Sequence, residues 1–229
     1  MILDATITSL RVVITAVTIS TILSLIAVFV VQESKSKLVK LFDWLMILPL
    51  FIPPSAIGYL ILIVLGRRGF IGKFLGERFG ISIIFTLTAA VIASIVVTIP
   101  IMYQSIKSAV LDVDEEIKNA AKICGAGKYT IFMKIVLPIS ARGILNGIIL
   151  SFARAFGEFG ATILVAGNIP GKTQTLPMAL YYAMESNNVI EAKKILLIIL
   201  GVALILINLY SYFSNTMKHE IIKNLFKGE

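Results

Sequence analysis

The sequence predicts an all-α, polytopic membrane protein with five transmembrane helices and one long polar loop. Of its 229 residues, 58% are hydrophobic, and the mean hydropathy is +0.94. Only 15% are charged, whereas a soluble domain averages about 25%. Several apolar runs also reach the roughly 20 residues that a helix needs to cross a bilayer. These observations exclude an ordinary soluble domain and predict one membrane domain over residues 1–229.

The predicted spans are separated by short polar segments, and four of the five contain no charged residue. The exception contains Arg154 and Glu158. The first run lacks the small-residue cleavage site of a signal peptide, so we expect it to stay in the chain. An apolar stretch at residues 173–184 is too short to cross, and it predicts a re-entrant or interfacial helix. The five spans are residues 12–31, 44–66, 81–106, 143–168 and 195–217.

Three prolines interrupt the second predicted span. Pro49, Pro53 and Pro54 cannot all lie inside a regular helix, because each lacks an N–H and clashes with the preceding turn. The freed backbone groups need a cavity or a neighbouring helix. Both a kinked pore-lining helix and a purely structural kink remain open at this point.

The chain has few residues for catalysis or metal binding. It has a single cysteine, Cys124, and a single histidine, His219, which we expect to be a solvated side chain. Neither a metal cluster nor a catalytic triad can be assembled from them, so the sequence predicts no cofactor and no enzymatic activity. Residues 167–173, GNIPGKT, are one residue short of the P-loop spacing, so no nucleotide site is expected.

The polar loop at residues 112–138 predicts two short amphipathic helices around a glycine turn. Asp112, with Glu115 three residues later, is close to a capping-box arrangement. Gly125 and Gly127 end the first helix, and Pro138 ends the second. An apolar face on a loop helix needs a partner to cover it. The predicted faces are Val113, Ile117, Ala120, Ala121 and Cys124 in the first helix, and Tyr129, Phe132, Met133 and Val136 in the second.

The same loop resembles the EAA loop of ABC importer permeases. The spacing agrees throughout, but Asn119 replaces the glutamate of the motif. The resemblance implies that the loop docks into an ATP-binding subunit, with contacts from the motif positions. It also implies a homodimeric pore, a dimer of ATP-binding subunits and an extracytoplasmic substrate-binding protein. The motif positions here are Asn119, Ala120, Ala121, Gly125, Ile135, Leu137 and Pro138.

Two further segments indicate which substrate the protein transports. Residues 48–72 and 154–181 are similar to molybdate permeases, and the second is somewhat less similar to sulfate permeases. The resemblance implies import of an oxyanion, with molybdate first and sulfate, thiosulfate or tungstate as alternatives. An ATP-independent secondary transporter or channel is the alternative from another class, although no inverted repeat is evident.

The fourth predicted span contributes candidate residues for the translocation path. A charged residue at that depth usually faces the bundle interior or a water-filled cavity. Arg154 and Glu158 are four residues apart and would share a helix face, serving either the path or a packing ion pair. Small residues nearby would let helices cross closely. The candidate path and gate residues are Arg154, Gly157, Glu158, Gly160 and Thr162.

The charge distribution predicts the orientation in the cell membrane. The net charge of +8 and pI of about 9.6 would suggest nucleic acid for a soluble protein. Here the basic residues lie between apolar runs, so no nucleic-acid partner is expected. With the 112–138 loop in the cytoplasm, the N-terminus lies outside and the C-terminus inside. Basic residues on the outside would either attract an anion or contact lipid headgroups.

Overall fold

The computed structural model describes residues 2–31 and 37–225, with side chains up to residue 214. His219 therefore lies outside the described side chains. These segments form helices, with no strand among them, in agreement with the predicted all-α class. The helices are α1 Ile2–Val31, α2 Lys37–Ile47, α3 Pro54–Leu65, α4 Phe70–Phe79, α5 Leu87–Leu111, α6 Glu115–Ile123, α7 Lys128–Ile131, α8 Leu137–Ile139, α9 Ala141–Phe156, α10 Gly160–Ala166, α11 Leu176–Glu185 and α12 Val189–Leu225.

Three helices are individually long and apolar enough to cross a bilayer: α1, α5 and the Val189–Ser214 part of α12. Two further candidates are bent pairs. One joins Lys37–Phe51 to α3 at an angle of 115°, and the other joins Lys128–Ile139 to α9 at 69°. If each bent pair is one span, the described part of the chain has five.

The bend in the second span lies at the prolines that the sequence singled out. A 3-10 turn over Leu48–Phe51 follows α2, and Ile52 then adopts an extended conformation. Pro53 has a φ of −54° and a ψ of 137°, and α3 begins at Pro54. Because proline disfavours the helical conformation for the residue before it, the consecutive pair sets the position of the break.

Helix α5 begins later than the predicted span. Gly80 and Phe85 both have positive φ, at 66° and 64°, so the chain turns before the helix. Thr86 then caps α5, because its hydroxyl oxygen accepts a hydrogen bond from the Ala89 N–H at 3.3 Å. The apolar character of residues 81–85 extended the predicted span beyond the helix itself.

Small and hydroxyl-bearing side chains hold the central helices close together. Ser20 of α1 and Thr98 of α5 share a buried hydrogen bond of 2.8 Å. Two turns further along α5, a β-carbon added to Gly147 of α9 would lie 2.5 Å from the Ser105 β-carbon. Ser140 also donates a hydrogen bond to the Ala109 carbonyl at 2.9 Å. Inside a bilayer the hydrophobic effect does not bring helices together, so close packing and interhelical hydrogen bonds of this kind hold them in contact.

Helices α10 and α11 complete the bundle at the end opposite α6. A β-carbon on Gly58 of α3 would lie 2.8 Å from the Ala161 Cα of α10, so these two helices touch through their backbones. Helix α11 buries Leu176, Met178, Ala179 and Ala183, and the Leu176 N–H at its start donates to the Ser9 hydroxyl of α1 at 2.8 Å. The predicted short helix at 173–184 therefore exists, but it begins at Leu176.

Candidate functional site

The polar loop begins with a capped helix, although the cap differs from the predicted one. Asp114, not Asp112, caps α6, and its carboxylate oxygen accepts a hydrogen bond from the Glu116 N–H at 2.9 Å. Asp112 instead follows the last residue of α5. The side chain of Val113 is 3% exposed. Because Val113 is buried, the chain turns at residues 112–114, and α6 begins only after Asp114.

Gly125 ends α6 in a left-handed conformation, with a φ of +81°. Its N–H donates to the Lys122 carbonyl at 2.9 Å, and the Ala126 N–H donates to the Ala121 carbonyl at 3.0 Å. These two hydrogen bonds define a Schellman motif, in which glycine is strongly preferred because other residues are strained there. Gly127 has a φ of −70° and starts α7 without such a requirement.

The exposed side of α6 carries small and apolar residues with no cover from the described chain. Ile117 is 44% exposed and Ile123 is 87% exposed, while Ala120 and Cys124 are also exposed. Ala121 is half-buried and packs against the core. The predicted apolar face is thus divided between the core and the exterior. Its outer part forms a surface that suits contact with another protein.

Polar side chains of α6 pair within the helix. Asn119 accepts a hydrogen bond from Lys122 at 3.3 Å, so the residue that replaces the motif glutamate still contacts a lysine. Lys118 donates to Glu115 at 3.0 Å. That hydrogen bond holds the pKa of the Glu115 carboxyl below its usual range. Glu115 therefore keeps its negative charge, and its pairing with Lys118, to a lower pH than an unpaired glutamate would.

The second loop helix contains a π-helical turn over Phe132–Val136, between α7 and α8. Phe132 and Val136 are buried, and the Phe132 ring lies 4.9 Å from the Phe29 ring of α1. Tyr129 and Met133 are exposed, so the predicted four-residue face is divided. The wider π turn accounts for this, because it changes the phase of side chains along the helix. Of the motif residues here, Ile135 and Leu137 are half-buried and Pro138 is exposed.

The fourth predicted span is broken between its two charged residues. Helix α9 ends at Phe156, Gly157 terminates it, and α10 starts at Gly160. Arg154 therefore lies on the last turn of α9, while Glu158 lies outside both helices. The prediction that the two share one helix face is wrong. The two glycines, with Glu158 between them, explain why the helix stops here.

Glu158 joins the two sides of this break. Its side chain is 1% exposed, and one carboxylate oxygen accepts a hydrogen bond from Arg154 at 2.7 Å. The other oxygen accepts from the Ala161 N–H in the first turn of α10, also at 2.7 Å. The carboxylate thus neutralises Arg154 and caps α10. Both its oxygens have partners, which favours an organising role for Glu158 over direct contact with a passing solute.

The remaining candidate residues around the break differ in exposure. The side chain of Arg154 is 30% exposed. Gly157 is exposed, and a β-carbon there would meet only its own helix, at 3.7 Å from the Ala153 carbonyl oxygen. Gly160 faces inward, since a β-carbon would lie 3.2 Å from that of Pro54. The buried Thr162 hydroxyl donates to the Phe159 carbonyl at 3.0 Å.

The structure also contains a polar groove that the sequence interpretation missed. It has a volume of about 650 Å³ and lies between α5, α9 and α12. Gln104 and Ser108, one turn apart on α5, are exposed, and the Asn146 side-chain oxygen is buried without a partner among the described residues. In the sequence, the polar residues at the end of the otherwise apolar third span could have indicated this groove. The polar residues lining the groove include Gln104, Ser105, Ser108, Arg142, Asn146 and Tyr210.

The chain has a fold that also occurs in solved ABC transporter structures. The chain superposes on a bacterial alginate ABC transporter with a TM-score of 0.74 and 14% sequence identity, over 94% of this chain and 78% of that one. An amino acid ABC transporter gives a TM-score of 0.67 at 19% identity, covering 94% and 93% of the two chains.

The sequence then gives the family. Residues 20–218 match the family described as binding-protein-dependent transport system inner membrane component, and the chain belongs to this family. It is 43% identical to the molybdenum transport system permease protein ModB of Escherichia coli K12, over 74% of this chain and 73% of that protein. It is 48% identical to YvgM of Bacillus subtilis, which is also named for molybdenum transport. That alignment covers 62% of each chain, less than two thirds of the relative.

Proposed function

We propose that this chain is the permease subunit of an ABC importer for an oxyanion, and that the oxyanion is molybdate. The assignment of molybdate as the substrate rests on the 43% identity to a molybdenum permease over about three quarters of both chains. The exposed, capped α6 supports the role in an ATP-driven assembly, because it offers a surface for another protein at one end of the bundle. The chain supplies the translocation path and, in α6, the surface on which the ATP-binding subunit acts, while ATP hydrolysis belongs to that partner subunit.

The assembly that we propose has two copies of this chain around one path. A dimer of ATP-binding subunits contacts the α6 end, and a substrate-binding protein delivers the anion at the opposite end. The α6 end then faces the cytoplasm, which places the N-terminus outside and the C-terminus inside. Binding of ATP favours one of two pore conformations, as alternating access requires.

Uptake into proteoliposomes tests this function directly. The purified permease, with its ATP-binding subunit and binding protein, is expected to accumulate radioactive molybdate only when ATP is present. Unlabelled tungstate and sulfate compete in parallel samples. Stronger competition by sulfate than by molybdate at equal concentration would reassign the substrate. Uptake without ATP would instead favour the secondary transporter or channel.

The polar groove supports a path on the cytoplasmic side. Gln104 lies eight residues before Asp112, so the groove extends about 12 Å along α5. Polar side chains at that depth avoid lipid and face water or protein. The hydroxyl and amide groups of the groove can donate hydrogen bonds to an oxyanion, each weaker than a hydrogen bond from a charged group such as Arg142, and Asp112 adds a carboxylate at the cytoplasmic end. We therefore place the inner part of the path along this groove and the outer gate near Arg154 and Gly157.

Cysteine labelling tests the groove. In a Cys124→Ser background, Ser108→Cys is expected to react quickly with a membrane-impermeant cationic thiol reagent applied from the cytoplasmic side. Leu204→Cys is the control, because Leu204 is 61% exposed on the apolar α12 and should react slowly. ATP with vanadate, which traps the other pore conformation, should protect Ser108→Cys. Equal reaction rates at the two positions would remove the groove from the path.

A further inference from the structure

A polar network inside the bundle joins α2 to α5. The Lys107 ammonium lies 2.8 Å from one carboxylate oxygen of Asp43. The Tyr103 hydroxyl donates a hydrogen bond to the other carboxylate oxygen. Tyr103 is fully buried, and the side chains of Asp43 and Lys107 are 19% and 25% exposed. Each oxygen of the carboxylate therefore has its own partner, one from each of two successive turns of α5.

This network differs from three other ion pairs of the structure, which are local. Lys73–Glu77, Lys118–Glu115 and Arg154–Glu158 each join residues three or four positions apart. Asp43 and Lys107 belong to separate membrane helices. A buried ion pair is weak support for stability, since well-packed apolar residues often serve as well or better. Its clearer effect is to fix one relative position of the elements that it joins, because a shift would leave a charge unpaired.

On the α5 side, the network lies close to α6. Lys107 is one turn from the end of α5 at Leu111, and only residues 112–114 separate α5 from α6. The buried Val113 anchors this short connection in the core. A displacement of α6 is therefore transmitted to the end of α5 that carries Tyr103 and Lys107.

On the α2 side, the network leads to the broken second span and to the proposed gate. Helix α2 continues through the 3-10 turn to the 115° bend, beyond which α3 packs on α10. Gly58 touches Ala161, and Pro54 faces Gly160, without bulky side chains between the backbones. A continuous route thus runs from α6 through residues 112–114 to α5, from α5 to α2 by the ion pair, and from α2 through α3 to α10, which Glu158 caps.

We propose that Asp43, Tyr103 and Lys107 are positioning residues that couple movement of α6 to the broken second span. This inference rests on the proposed ABC importer function and adds to it the connection by which the ATP-driven step reaches the gate. Without the ion pair, α6 still docks and ATP is still hydrolysed, but α2 no longer follows α5. Hydrolysis then proceeds with little transport.

The test measures molybdate imported per ATP hydrolysed, in proteoliposomes containing the complete complex and its binding protein. Lys107→Met is expected to lower this ratio about tenfold, within the range over which residues between sites alter coupling, while ATP hydrolysis stays near wild type. Lys107→Arg keeps the charge and should keep the ratio. Asp43→Asn with Lys107→Met should be no worse than Lys107→Met alone, because both act on one interaction.

Two controls separate coupling from folding. Glu77→Gln breaks the exposed Lys73–Glu77 pair of 3.8 Å and should leave the ratio unchanged. The charge exchange Asp43→Lys with Lys107→Asp restores an ion pair and should recover part of the ratio. A wild-type ratio in Lys107→Met, or a parallel fall in uptake and ATP hydrolysis that the exchange does not reverse, would overturn the proposal. If wild-type uptake does not require ATP, the proposed function itself fails, which is a separate result.

Discussion

Replacing Gly125 with valine is expected to lower ATP-dependent uptake at least about tenfold and to prevent co-purification of the ATP-binding subunit. Gly125 has a φ of +81°, a conformation that costs an ordinary residue about 1–2 kcal/mol and a β-branched one more. The Schellman motif at the end of α6 would be lost with it. Helix α6 has nine residues and no buried side chain, so it has little packing to offset that loss.

Gly127→Val provides a matched control. A β-carbon at either glycine meets nothing within 4 Å, so neither substitution creates a clash. Gly127 has a φ of −70°, which valine adopts readily. Uptake and co-purification should therefore stay close to wild type in Gly127→Val. Full activity in Gly125→Val, or equal loss in both variants, would show that the left-handed turn is not what docking requires.

Glu158→Ala is expected to destabilise the protein. It would leave Arg154 without its partner and remove the acceptor for the Ala161 N–H. Deleting one partner of a fully buried ion pair costs about 3–5 kcal/mol, and the cost here should be smaller because the Arg154 side chain is 30% exposed and can be hydrated. The expected result is a lower melting temperature in detergent and a lower yield of assembled complex, measured by size-exclusion chromatography.

The double variant Arg154→Gln with Glu158→Gln separates packing from a role in the path. The glutamine at 158 can still accept from the Ala161 N–H, and no unpaired charge remains. Assembly should therefore recover, while uptake stays low because the positive charge near the proposed gate is gone. Wild-type uptake in the assembled double variant would limit the pair to packing. The single change Arg154→Ala cannot decide this, since it leaves the buried Glu158 carboxylate uncompensated.

Features governed by short-range chemistry could be predicted from the sequence. The break at Pro53 and Pro54 follows from the missing N–H and the restricted φ of proline. The turn at Gly125 follows from glycine being able to adopt positive φ. Membrane insertion follows from composition and the length of the apolar runs. In each of these cases the cause lies within a few residues of its effect.

Features that depend on tertiary contacts could not be predicted in this way. Asp112 and Asp114 are equally good caps by residue type, and the burial of Val113 decides between them. The pairing of Asp43 with Lys107 requires α2 to pack beside α5, which no local pattern reports. The polar groove requires three helices to be placed together.

The π-helical turn at Phe132–Val136 has a consequence for how this loop tolerates changes in length. A π turn accommodates one residue more than an α turn. Deleting a single residue there would leave an ordinary helix with unbroken hydrogen bonding. Because the wider turn takes up the extra residue, the helix before it would keep nearly the same phase relative to α9. A one-residue deletion from an ordinary α turn of the loop would instead rotate everything before it by about 100° and point the docking surface of α6 in another direction. The loop should thus tolerate a single-residue deletion at this turn better than elsewhere, so the position of a change in length matters as much as the residue types.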